Sequence, residues 1–225
     1  MTGLTNGTPY TFSVATLNAV GTGSGSAPSA AVTPATEAGA PTGVSGTSGN
    51  TQVALSWTAP VSDGGSAITG YVVTPSIGGV AQTPTTFSSA ATTQTLTGLT
   101  NGMAYTFTVA AINGAGTGPG STPSGAVTPA TTPSAPTIVS GTGLFFNVTL
   151  SWTAPASDGG SPITGYIVTP YLGGVAQTPT TFSSTATTQS VSVLIAGLYT
   201  FTVTAVNGVG DGAASAQGPS GGVSL

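Results

Sequence analysis

The sequence predicts an all-β chain of tandem β-sandwiches arranged as a rod and preceded by a partial repeat. Three observations predict it. Apolar and polar residues alternate along short runs, as half-buried strands require. Turn-forming residues interrupt those runs about every ten residues, and no stretch shows helical periodicity. Long segments also recur at a constant spacing, the mark of a repeat architecture.

The recurrences set the organisation. Ser-Trp-Thr-Ala-Pro-Val-Ser-Asp-Gly-Gly-Ser at 56–66 returns as Ser-Trp-Thr-Ala-Pro-Ala-Ser-Asp-Gly-Gly-Ser at 151–161, 95 residues later. Gly-Leu-Thr-Asn-Gly-Thr-Pro-Tyr-Thr-Phe at 3–12 returns at the same spacing as Gly-Leu-Thr-Asn-Gly-Met-Ala-Tyr-Thr-Phe at 98–107, and a degraded copy ends in Tyr199-Thr200-Phe201. Half a repeat (1–36) is thus followed by two whole ones (37–131 and 132–225). The boundaries fall in Pro34–Pro41 and Pro129–Pro136, whose composition predicts short, semi-rigid spacers of polyproline character.

Within a repeat, Val53, Leu55 and Trp57 share one face, as do Tyr71 and Val73, then Tyr105, Phe107, Val109 and Ala111. The last repeat mirrors them with Val148, Leu150 and Trp152, then Tyr166 and Val168, then Tyr199, Phe201, Val203 and Ala205. Turn signals at Asp63-Gly64-Gly65, Gly78-Gly79, Asn101-Gly102 and Asn113-Gly114 separate the runs. About seven strands per repeat result, the count of an immunoglobulin-like sandwich.

These residues resemble the fibronectin type III family over nearly the whole chain. The resemblance rests on a Trp in the second strand (Trp57, Trp152), on Asp-Gly-Gly-Ser-x-Ile-Thr-Gly-Tyr leading into the third (63–71, 158–166), and on a Tyr opening the sixth (Tyr10, Tyr105, Tyr199). It implies strands A, B and E on one sheet and C, C′, F and G on the other. It also implies a structural core at Trp57, Trp152, Tyr71, Tyr166, Tyr105 and Tyr199, with the sixth-strand Tyr bonded back to backbone as a tyrosine corner. The family serves as spacer, adhesion module and enzyme appendage alike, so fold alone does not give function.

Composition excludes most chemistry. The 225 residues include no Lys, Arg, His or Cys and only four acids, Glu37, Asp63, Asp158 and Asp211. No imidazole, thiol or amine is present to act as base, nucleophile or soft metal ligand, so no enzyme, no metal and no cofactor are expected. With a net charge of −4 and no cationic side chain, phosphate-directed nucleic-acid binding and polybasic membrane binding fall as well. No apolar stretch approaches the ~18 residues of a membrane-spanning helix. Hydroxyls take the place of charges: 44 Thr and 26 Ser keep the surface polar. So few charges suit either a surface carrying glycans or one that touches copies of itself. An extracellular or cell-surface location is expected, although no export signal stands in the chain as given.

Asp63 and Asp158 occupy equivalent places in different repeats, too far apart to form a carboxylate pair, and each reads as an Asx turn before Gly-Gly. Asn6-Gly7-Thr8 and Asn147-Val148-Thr149 match the glycosylation sequon, but Asn147 opens a predicted strand. The family's integrin-binding tripeptide needs an Arg, which is absent, and the F–G loop at 114–121 is plain Gly, Thr and Pro. Segment 78–94 matches 173–189 at sixteen of seventeen positions, which reads as recent duplication, with a repeated contact surface as the alternative.

The last repeat departs from the one before it at three loops. Gly49-Asn50-Thr51 becomes Leu144-Phe145-Phe146, Ser76-Ile77 becomes Tyr171-Leu172, and Thr100-Asn101 becomes Leu194-Ile195. The resemblance places these loops at one pole, the end where the chain leaves the sandwich. A cluster of large apolar side chains there marks an interface, unless they fold back as a better-packed end of the core. At the other end of the chain, half a sandwich cannot bury Tyr10, Phe12, Val14 and Leu17, and an isolated hairpin is marginal in water.

Two functions follow as expectations. The first is a non-catalytic extracellular structural protein that self-associates head to tail into a filament, surface fibre or adhesive stalk. The N-terminal hairpin (Tyr10, Phe12, Val14) of one copy would dock on the apolar pole (Leu144, Phe145, Phe146, Tyr171, Leu172, Leu194, Ile195) of the next. The second is spacer or carbohydrate-binding accessory repeats of a larger secreted polysaccharide-degrading enzyme or adhesin. Partners are accordingly other copies of the chain, with glycans as the second class.

Overall fold

A computed structural model describes residues 1–193 and 195–224, and all regular structure among them is β-strand. Its contacts divide the chain into two compact units. One comprises Met1–Thr47, Ala54–Leu96 and Ala104–Val127; the other comprises Ser48–Val53, Thr97–Met103 and the chain from Thr128 onward.

The first unit opens with a hairpin. Strands β1 (Leu17–Asn18) and β2 (Gly21–Thr22) pair at its tip, and Tyr10 bridges Val32 nearer its base. Between these points Ser26 and Ser29 complete the pairing. Their Oγ atoms accept from the N–H groups of Val14 and Phe12 at 3.1 Å, and their own N–H groups donate to the carbonyls of those residues at 2.9 Å.

The next repeat contains β3 (Thr42–Gly49), β4 (Gln52–Thr58), β5 (Gly70–Ile77), β6 (Val80–Ala81), β7 (Thr85–Phe87), β8 (Thr93–Thr97), β9 (Thr106–Asn113) and β10 (Gly116–Gly120). One sheet runs β3-β4-β8; the other runs β10-β9-β5-β6, with β7 also on β5. The period-two sequence pattern becomes alternating burial along β4 and β9. Leu55, Trp57, Tyr71, Val73, Phe107 and Val109 are buried, and Trp57 meets the Tyr71 ring edge-on at 5.0 Å. Each such aliphatic side chain contributes about 1.5–3 kcal/mol when withdrawn from water.

The last repeat, within the second unit, repeats the plan with β11 (Thr137–Leu144), β12 (Asn147–Thr153), β13 (Ile163–Leu172), β14 (Val175–Ala176), β15 (Thr180–Phe182), β16 (Thr188–Ser192), β17 (Leu198–Asn207), β18 (Asp211–Ala214) and β19 (Gly218–Ser224). Sheet β11-β12-β16 faces β14-β13-β17-β18, with β15 on β13 and β19 on β17. The core holds Val148, Leu150, Trp152, Tyr166, Val168, Tyr199, Phe201 and Val203, closed by Val223 of β19.

The proline-rich boundaries differ from the polyproline spacers that composition predicts. Polyproline backbone is solvated, whereas here the backbone is bonded to the B–C loop that follows it. In the first unit, Thr36 N–H donates to Gly64 O at 3.0 Å and Gly39 N–H to Ser62 O at 2.9 Å. The Asn113 amide donates to Thr36 O and Asp63 O at 2.8 and 2.7 Å. The second unit repeats the arrangement, with Thr131 N–H on Gly159 O at 2.8 Å, Ser134 N–H on Ser157 O at 2.9 Å and the Asn207 amide on Thr131 O and Asp158 O. Gly160 lies so close to Asn101 and Gly102 that a Cβ there would overlap backbone, and its φ of 84° is itself a glycine conformation. A boundary that the sequence presents as a semi-rigid polyproline spacer is a hydrogen-bonded joint.

Candidate binding surface

Two of the four carboxylates, Asp63 and Asp158, have a structural role. Asp63 Oδ1 accepts from Gly65 N–H and Asp158 Oδ1 from Gly160 N–H, both at 2.9 Å, so each closes the Asx turn that shapes its joint. Among the described residues no three His, Cys, Asp or Glu side chains come together in a group able to hold a metal ion. The Thr5 N–H donates to the Tyr10 hydroxyl at 3.0 Å and holds its pKa below the ordinary phenol value.

The structure brings the three altered loops of the last repeat to one end of the sandwich. Leu144 pairs with Asn147 across the A–B turn, Asn147 pairs with Ser192 at the start of the E–F loop, and Leu172 pairs with Tyr199. Val193 N–H donates to Phe146 O at 2.8 Å, and the Tyr199 hydroxyl donates to Ile195 O at 2.8 Å, forming the tyrosine corner. The apolar residues then divide. Tyr171 and Leu172 are half-buried, with Leu172 lying over Gly197. Leu144, Phe145, Phe146 and Ile195 are exposed, at 68%, 84%, 54% and 59%. Leu194 lies outside the described residues.

Phe145 and Phe146 have φ of 43° and 59°, the left-handed region. Two-residue hairpin turns of this kind normally carry Asn-Gly, and a bulky aromatic residue there is an outlier. Both rings are solvent-exposed at the turn, and the preceding repeat holds Thr51 at φ 53° in the equivalent place.

Below the turn, on the outer face of β11-β12-β16, Thr142, Leu144, Phe145, Asn147, Thr149 and Ser190 line a shallow hollow. Polar side chains continue across β12 and β16 in register. Ser192 Oγ donates to Asn147 Oδ1 at 2.8 Å, Thr149 and Ser190 hydroxyls meet at 3.2 Å, and Ser151 and Thr188 hydroxyls at 2.9 Å. The corresponding depression in the preceding repeat is lined by Ala54, Leu55, Thr93, Gln94 and Thr95, with no aromatic residue.

The N-terminal hairpin presents a second apolar surface. Tyr10 and Phe12 are half-buried and Val14 is 74% exposed, whereas their counterparts Tyr105, Phe107 and Val109 are buried. Trp57 and Trp152 lie in the cores, each indole N–H without a hydrogen-bond acceptor and each ring edge-on to a tyrosine at 5.0 Å.

Sequence reasoning missed the hydroxyl ladder and the paired roles of Asn113 and Asn207. Asn113-Gly114 signals a turn, and the Asn113 Oδ1 does accept from Ala115 and Gly116 N–H. The same side chain also clamps the joint through its amide, a partner some 77 residues away that no local pattern reveals.

Residues 39–127 and 136–220 match the fibronectin type III domain family. The chain belongs to that family. Among curated proteins, these fibronectin type III repeats are similar to Exoglucanase B of Cellulomonas fimi, with 34% identity over 93% of this chain and 20% of that protein. Exoglucanase A of the same organism is 38% identical over 57% of this chain and 15% of its own length. Endoglucanase B of Cellulomonas fimi is 37% identical over 72% and 16%. The chain therefore spans a fifth or less of the length of these relatives. A crystal structure of chicken CNTN1 FN1-FN3 domains aligns with 80% of this chain and 65% of that one, at 24% identity and a TM-score of 0.44.

Proposed function

We propose that these repeats are a non-catalytic accessory segment of a larger extracellular polysaccharide-degrading protein, spacing its working domains over a glucan. The observation that carries this reading is the similarity of nearly the whole chain to a fifth of Exoglucanase B. Three features support it. The chain has no His, Cys or Lys with which to do chemistry. Its repeat boundaries are hydrogen-bonded, with the Asn113 and Asn207 amides on Thr36 O and Thr131 O. Its surface is polar through hydroxyls, which suits an uncharged substrate. Self-association into a filament, the first expectation from the sequence, draws no support from these relatives.

The test joins the repeats to a glucanase catalytic domain and compares the fusion with one lacking residues 37–225. Hydrolysis of insoluble glucan falls several-fold on deletion while hydrolysis of a soluble oligosaccharide is unchanged. Equal rates on insoluble glucan would refute the accessory role.

A further inference from the structure

We infer that the A–B turn and outer sheet face of the last repeat form a contact site for an extended, uncharged glucan chain. Phe145 and Phe146 supply the apolar surface, and the Asn147, Thr149, Ser190 and Ser192 side chains supply the polar one. This deepens the accessory reading and rests on it.

Four observations converge on that occupant. The first is the aromatic turn: Thr51 at φ 53° shows that the preceding repeat uses a left-handed backbone at the same turn, so what the last repeat adds is two large exposed rings at φ of 43° and 59° where the other has Asn50 and Thr51. The second is the combination of surfaces. A pyranose ring presents C–H groups on its faces and hydroxyls around its rim, so it asks for an aromatic plane beside hydroxyl and amide groups. The hollow places Leu144 and Phe145 next to Asn147, Thr149 and Ser190. The ladder hydroxyls are bonded to one another, yet each oxygen keeps a free lone pair for a sugar hydroxyl.

The third observation is spacing. The polar pairs Asn147/Ser192, Thr149/Ser190 and Ser151/Thr188 recur every second residue along two adjacent strands, a step of about 6.6–6.8 Å. A periodic row along the strands offers repeated contacts to an extended polymer, which a compact ligand would not use. The fourth is charge. Residues 137–153 and 188–192, which make this face, contain no ionisable side chain, so an uncharged polymer meets no unpaired charge and a charged one gains no partner.

A second copy of the chain fits less well. Two Phe side chains carry about 150–250 Å² each. With Leu144 they cover only part of the ~800 Å² per partner that a stable specific interface buries, so a second copy would have to cover the surrounding polar face as well.

The experiment uses the full 225-residue chain, sedimented with insoluble cellulose as the β-glucan probe. The informative variant is the double substitution F145N/F146G, because Asn-Gly suits the turn and keeps the fold intact. The chain is retained by the glucan, the variant loses at least tenfold in apparent affinity, and Phe145→Trp keeps it. The variant also unfolds at an equal or higher temperature, which separates lost binding from lost structure. A wild-type chain that stays in solution overturns the site, as does a variant retained as well as wild type. Particles that grow with concentration and disappear in the variant, without glucan retention, would assign the surface to a second copy instead. A site that fails while deletion of the repeats still slows hydrolysis of insoluble glucan leaves the accessory role standing.

Discussion

The A–B and E–F loops of the two whole repeats meet in the same way and are built from opposite chemistry. In the first of them, Asn101 accepts from Thr51 N–H and donates to Asn50 Oδ1, while Gly102 N–H donates to Pro129 O. Gly160 closes against this polar, glycine-lined socket. In the last repeat the turn carries Phe145-Phe146, the loop carries Ile195, and no Asn-Gly precedes Tyr199. The core beneath is almost unchanged: Leu150, Trp152, Tyr166 and Phe201 stand where Leu55, Trp57, Tyr71 and Phe107 stand one repeat earlier. A constant sandwich thus carries two kinds of end, one that receives a following B–C loop and one that presents aromatic side chains outward.

That contrast breaks most visibly at the socket. Gly160→Val places a branched side chain at φ 84° against the Asn101 and Gly102 backbone. The combined strain and overlap cost about 3 kcal/mol or more, read as a drop in the chemical-denaturation midpoint. Asn207→Ala comes next. It leaves the Thr131 and Asp158 carbonyls without their amide donor and costs about 2 kcal/mol, measurable in the same way. The aromatic end responds in the opposite direction. F145N/F146G relieves two left-handed aromatic residues and stabilises the last repeat by about 1–2 kcal/mol, seen as a higher Tm.

The smallest effect belongs to the N-terminal hairpin. Because the Thr5 N–H favours the ionised Tyr10 hydroxyl, its folded pKa lies below the unfolded value of 10.0. The linked stabilisation is therefore present at pH above the unfolded value and is lost as pH falls through the folded pKa. An ultraviolet titration of the phenols shows an early step that Tyr10→Phe removes.

The fold was legible because several local signals agree. Period two along β4 and β9 reads directly as their buried faces, and the 95-residue recurrence divides the chain before any contact is known. The three altered loops were legible as a departure between repeats, yet sequence could not say which side chains fold back. Leu172 covers Gly197 and is half-buried, while Phe145, on the A–B turn of the other sheet, stands exposed, a division that hydropathy alone does not give. The joints were illegible for a related reason. Pro and Thr read as a semi-rigid polyproline spacer, and the amides that bind them come from Asn113 and Asn207, more than seventy residues downstream.

The hairpin at 10–32 shows the limit of local information most plainly. It reproduces the serine-to-backbone bonds of 105–127, with Ser26 and Ser29 acting as Ser121 and Ser124 do. Phe107 and Val109 are nevertheless fully buried, and Val14 is 74% exposed. Local pairing follows from the sequence of the hairpin; burial follows from the sheet packed against it.

The difference between the two ends is tested most directly by mapping amide chemical shifts while a soluble β-linked gluco-oligosaccharide is added. The account predicts saturable shifts confined to Phe145, Phe146, Asn147, Thr149, Ser190 and Ser192, with the equivalent residues of the preceding repeat, from Asn50 to Ala54, unmoved. Shifts absent from the aromatic turn, or equal at the two ends, would contradict it.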